Sequence, residues 1–134
     1  MRFGAIYLLL ALSLVVTPFS APAVQASSDV FYIPMQPAFV TNYGGPGRLK
    51  YLKVDMTLMV EGGRSAQVIE QQIPLIRNVI VMNLARQNEN NVVTASGQER
   101  IRQQILQVLQ EALQREVGHP VVTEVLFTNF IYQN

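Results

Sequence analysis

A chain of 134 residues carrying ten Lys and Arg against nine Asp and Glu is close to neutral, and its cations are scattered along the sequence. That distribution excludes the clustered basic footprint of a nucleic-acid binder. The absence of cysteine removes disulfides, thiol catalysis and zinc-thiolate sites together, and the length suits one domain built on one core.

From Met1 to Ser28 the single charged side chain is Arg2, and the run from Phe3 to Val16 is diluted only by Gly4 and Ser13. A basic start, a short apolar core and the small-residue stretch ending Val24-Gln25-Ala26 are the parts of an export signal, predicting cleavage after Ala26. The alternative is an uncleaved anchor from Phe3 to Val24, which approaches the ~20 residues that cross a bilayer, although Pro18 and Pro22 interrupt it. The expected locations are accordingly the periplasm or, with the anchor retained, a single-pass inner-membrane protein with its domain in the periplasm.

Residues 27–37 read as a linker, polar at Ser27-Ser28-Asp29 and then extended through Pro34 and Pro37, which disfavour helix at the residues before them. A first strand is expected from Ala38 to Tyr43, ended by the turn Gly44-Gly45-Pro46-Gly47. From Tyr51 to Val60 the alternation is strict, with Leu52, Val54, Met56, Leu58 and Val60 on the face directed at the core. Ser65 to Gln72 suggests a short helix capped by Ser65. Pro74 opens a second helix, whose Leu75, Ile76, Val79, Ile80, Met82 and Leu84 leave hardly any polar side and predict a largely buried core helix.

Arg86 to Asn91 is expected to be a polar loop. Beyond it either Thr94 or a Ser96-x-x-Glu99 capping box starts a long helix over Gly97 to Glu116, with Ile101, Ile105, Val108, Leu109, Ala112 and Leu113 on one face. Gly118 and Pro120 stop it, and the β-branched and aromatic run from Val125 to Gln133 is a final strand docked into the core sheet. The order predicts an α+β fold: a mostly antiparallel sheet packed by two to three helices, spanning residues 38–134.

The chain offers no catalytic constellation, and no cofactor or metal ligand set is assigned. His119 lies between Gly118 and Pro120 in a turn, the acids Asp29, Asp55, Glu61, Glu70 and Glu89 fall in different elements, and the glycine-rich turn lacks the Lys and Ser/Thr of a phosphate loop. Two readings from different classes stay open. One is a periplasmic binding or chaperone-like domain that accepts a partner strand along an unpaired Val30–Tyr43 edge; the other is a small hydrolase using His119 with Ser96 or a remote carboxylate.

Five short segments stand in order along the chain: Tyr32-Ile33-Pro34 through Pro37-Ala38-Phe39-Val40-Thr41-Asn42; Arg48 to Thr57 with Tyr51-Leu52-Lys53-Val54; Pro74-x-Ile76-Arg77-Asn78; Thr94-x-x-Gly97; and Val125-Leu126-Phe127-Thr128-x-Phe130-x-x-Gln133. Together they resemble the FliL family of flagellar proteins. The resemblance implies a stomatin/SPFH-like periplasmic domain, tethered to the membrane and assembled as a homo-oligomeric ring at the basal body. It also implies contact with the stator proteins MotA and MotB, or sodium-driven equivalents, and no catalysis. In that picture the ring holds the stator's periplasmic linker extended and plug-open, favouring torque generation. Val30, Phe31 and Tyr32 are the expected partner contacts, though they read equally well as a first strand or packed leader. Pro37, Phe39, Asn42, Tyr51, Pro74, Arg77, Phe127 and Phe130 match family positions and are expected to maintain the fold. The sequence departs from the family in its leader, which is only Met1-Arg2, in its short apolar run, and in the polar Arg86–Asn91 segment.

Overall fold

The alternation read between Tyr51 and Val60 becomes the central strand of the protein. In the computed structural model, which describes residues 29–134, the elements run β1 (Val30–Tyr43), β2 (Lys50–Glu61), α1 (Gly63–Gln71), α2 (Ile73–Ala85), α3 (Glu89–Val93), α4 (Ala95–Val117) and β3 (Val122–Gln133). Over the described residues the fold is α+β: a three-stranded antiparallel sheet in the order β1-β2-β3, with four helices. The export signal or anchor lies outside the described residues. No helix among those described is long and apolar enough to cross a membrane.

Because β2 is central, its helix-facing residues are shielded by strands on both sides as well as by helices. Leu52, Val54, Met56, Leu58 and Val60 are each 2% exposed or less. Met35 and Phe39 of β1, Val122 and Val125 of β3, Ile69 of α1, and Ile101, Ile105, Leu109 and Leu113 of α4 complete one core. Helix α2 contributes Ile76, Ile80 and Leu84, a stripe with a spacing of four. The burial expected of α2 is realised only along that stripe, and Met82 stays 46% exposed. A helix packed against the rim of a narrow sheet covers one stripe, whatever the composition of its other side.

Strand β1 starts at Val30 rather than Ala38, so most of the expected 27–37 linker is sheet. Its first half pairs with the second half of β2, from Val30 opposite Glu61 to Met35 opposite Met56. Prolines are tolerated there because β1 is an edge strand, where a missing N–H need not interrupt the ladder. Residues 36–38 bulge before pairing resumes at Phe39 opposite Val54. Strand β3 likewise starts early, at Val122, opposite Val60.

Two helix starts differ from expectation, and a third settles an alternative left open. The α1 cap is Gly62, not Ser65: the turn out of β2 needs φ +86° there, and the Gly62 amide donates to the Asp29 carbonyl at 2.8 Å. The expected polar loop contains the start of a helix, α3, because Asn88 caps it by accepting the Asn91 amide at 2.9 Å and Val92 is fully buried beneath it. Thr94 caps α4, accepting the Gly97 amide at 3.0 Å, while Glu99 turns to Arg102 and leaves the Ser96 box unformed. Thr94→Ala is therefore expected to cost about 1 kcal/mol in urea melts and Ser96→Ala only a few tenths; equal losses would contradict this cap.

Gln87, 6% exposed, ties the far ends of these helices together. Its amide nitrogen donates to Asn83 Oδ1 and Gln104 Oε1, both at 3.0 Å, its side-chain oxygen accepts from Asn91, and its backbone carbonyl accepts the Gly44 amide at 3.0 Å. One satisfied amide thus joins α2, α3, α4 and the β1–β2 turn.

Candidate functional site

The residues singled out by the sequence gather into pairs and triads at joints of the fold. Pro74 sits in the first turn of α2, where its missing N–H costs nothing, and Arg77 follows one turn later. The β1 bulge offers the Pro37 carbonyl, which accepts from Arg77 Nη1 at 2.9 Å. The same guanidinium lies 4.3 Å from the centroid of the Phe39 ring, itself only 2% exposed. A charge-assisted hydrogen bond and a cation–π contact therefore fasten α2 to β1.

Phe127 and Phe130 form a second joint, with ring centroids 5.5 Å apart and both rings packed against the core. They flank Thr128, the extra residue where pairing shifts between Asp55–Asn129 and Met56–Phe127. Asn42 and Tyr51 are opposite one another in the β1–β2 register, on the sheet face that the helices do not cover.

Val30, Phe31 and Tyr32 occupy the start of edge strand β1 and are 47%, 37% and 60% exposed. Strand alternation separates them. Val30 and Tyr32 lie on the open face opposite Glu61 and Met59, whereas Phe31 pairs with Val60 at the rim of the helix-covered side. Sequence reasoning missed a second exposed apolar group on the open face: Val40 and Ile131 flank Lys53 in register, with Tyr51 beside them. Its signal was present, because β1 and β3 carry apolar residues at both parities.

Among the described residues, potentially reactive groups do not converge. His119 is exposed in the α4–β3 turn and Ser96 is at the other end of α4, roughly 30 Å away at 1.5 Å per residue. That separation removes the Ser96–His119 pairing. Among the described residues no three His, Cys, Asp or Glu side chains are placed to share a metal ion.

The most connected ionic group is structural in placement. Arg102 bonds both Glu99 and Glu124 and donates to the Val125 carbonyl at 3.2 Å, linking α4 to β3. Its hydrogen bond holds the Glu99 carboxyl below the usual range, and Glu99 in turn raises the Arg102 guanidinium above its ordinary value. Burial raises the Tyr43 hydroxyl, which donates to Asn134 Oδ1 at 2.8 Å.

Comparison with known proteins matches the sequence along nearly the full described length. The family model described as flagellar basal body-associated protein FliL matches residues 32–133. The flagellar protein FliL of Aquifex aeolicus (strain VF5) is 26% identical over 113 residues, covering 84% of this chain and 68% of that protein.

Proposed function

Because this chain belongs to the FliL family of flagellar basal body-associated proteins, we propose that it is a non-catalytic accessory of the flagellar motor that acts on the stator units from the periplasm. The observation that carries this reading is the family match over residues 32–133, which takes in every helix among the described residues and most of the sheet. The use of Arg77, Phe39, Pro37, Phe127 and Phe130 as joints supports a protein whose work is done by its shape.

In this reading residues 1–26 direct export or remain as a membrane tether, and identical copies form a stomatin/SPFH-like ring around MotA and MotB or their sodium-driven equivalents. A ring that binds the extended, plug-open form of the stator more tightly than the resting form raises the open population in proportion to that difference in affinity. Val30 and Tyr32, exposed where the chain emerges from residues 1–28, are the proposed stator contacts, with Phe31 at the rim beside them.

Deleting the gene is expected to leave flagella assembled while swimming or swarming weakens, with restoration by a plasmid copy. Filament counts by electron microscopy and tracked swimming speeds measure the two separately. Loss of the filaments themselves would refute a role confined to the stator.

A further inference from the structure

Side chains and prolines protect only parts of the two sheet edges. On β3, side chains of α4 cap backbone carbonyls: Gln110 donates to Val122 O at 2.9 Å and Arg102 to Val125 O at 3.2 Å. On β1, Pro34 and Pro37 lack an N–H, and Arg77 occupies the Pro37 carbonyl. Beyond Pro37 this protection stops. The Gly44 amide donates away from β2, to Gln87 O at 3.0 Å. Because peptide groups alternate in direction along a strand, the N–H and C=O groups of Asn42 and Val40 also point away from β2. Among the described residues neither amide finds a backbone partner beyond the sheet, and the Asn42 carbonyl accepts only the neighbouring Thr41 hydroxyl, at 3.2 Å. Val40 is 63% exposed.

This bare edge has a second wall and two ends. Asn78 and Val81 of α2 face Ala38 and Val40 across a depression of about 340 Å³. The Arg77–Pro37 bond closes one end and the Gly44–Gln87 bond the other, leaving Ala38 to Asn42 open, about 17 Å at ~3.4 Å per residue. Among the described residues, Arg77 is the one charged residue lining the depression, and no carboxylate lines it. Lys53 stands beside Val40 in register.

We propose that this slot binds an extended segment of a partner protein, about five residues long, as a fourth strand on β1, with a carboxylate of that segment at the Arg77 end. The four backbone groups of Val40 and Asn42 supply main-chain hydrogen bonds, Val81 and Ala38 receive apolar side chains, and the unused guanidinium donors of Arg77 receive the acid. The slot rests on the accessory reading above only in assigning the segment to the periplasmic part of a stator protein.

Val40→Pro tests it, because the substitution deletes an outward N–H and leaves the β1–β2 ladder intact. Asn42→Pro applies the same logic one register further on. Overlapping synthetic peptides covering the periplasmic regions of the same organism's stator proteins would be titrated against the full-length protein by fluorescence anisotropy. The expected result is that at least one acidic peptide binds, that each proline variant melts with the wild type yet binds it at least tenfold more weakly, and that Glu→Gln or Asp→Gln in the peptide also weakens it. Equal binding by variants and wild type, or no binding peptide, would overturn the slot. So would a variant that fails to fold, which would show the amide serving β2, or one that only disperses an oligomer of the protein, which would assign the edge to a second copy. The two readings fail differently in cells. Full restoration of a motility defect by the Val40→Pro gene rejects the slot alone, whereas a deletion without a motility defect rejects the accessory role.

Discussion

Gly97→Ala is expected to destabilise the protein by about 3 kcal/mol or more, a large share of the ~5–15 kcal/mol that keeps a domain folded. A Cβ placed on Gly97 would stand 2.3 Å from the Asn91 carbonyl oxygen and 2.4 Å from Asn91 Cα. Both atoms are backbone, so no side-chain rotation relieves the overlap, and α3 would have to move off α4. That movement would also strain the Thr94 cap and the Gln87–Asn91 hydrogen bond, which depend on the same corner. Gly63→Ala is the matched control. It lies in a helix with nothing within 4 Å of the added methyl, so alanine there should be neutral or stabilising by up to about 1 kcal/mol. Thermal and urea melts followed by circular dichroism measure both, and two similar midpoints would refute the close approach of α3 to α4.

Leu58→Ala should cost about 2–5 kcal/mol, the range for truncating a fully buried leucine. Leu58 is 0% exposed, sits on the central strand, and lies in register between Ile33 of β1 and Val125 of β3, so no single neighbour can collapse into the space it leaves. Met59, the next residue, faces the open side of the sheet opposite Tyr32, and Met59→Ala should cost about 1 kcal/mol or less. The large contrast between adjacent positions is the signature of the assigned register, since a slip by one residue would exchange the two effects.

Much of this fold was legible because its signals are local. The alternation from Tyr51 to Val60, the apolar stripe of α4, the glycine-rich turn after Tyr43 and the stop at Gly118 each depend on a few consecutive residues, and each stands where expected. The early start of β1 was not legible. Pro34 and Pro37 argue against a strand in isolation, and only pairing along an edge, with a bulge between Met35 and Phe39, accommodates them. Helix α3 was hidden for a similar reason: five residues make a poor helix until Val92 is buried by neighbours remote in sequence. The Ser96 box was a sound local signal that lost to Thr94 once Glu99 had Arg102 as a partner.

The candidate site shows the same division. The segments containing Pro37, Phe39, Arg77, Phe127 and Phe130 resembled the FliL family as separate short motifs, but their meeting as Arg77 on Phe39 and Phe127 on Phe130 is a property of packing. Val30, Phe31 and Tyr32 form one apolar patch in sequence, yet a strand sends neighbours to opposite faces, so only Val30 and Tyr32 share the open side. Taken alone, the sequence determined the family, the α+β class, the inward face of β2 and the apolar stripe of α4, because periodicity and capping are written within a few turns of chain. Tertiary structure decided how far β1 extends, which stripe of α2 is covered, why Gly97 must lack a side chain, and that Ala38 to Asn42 is a bare edge. Those outcomes depend on groups brought together from distant parts of the chain.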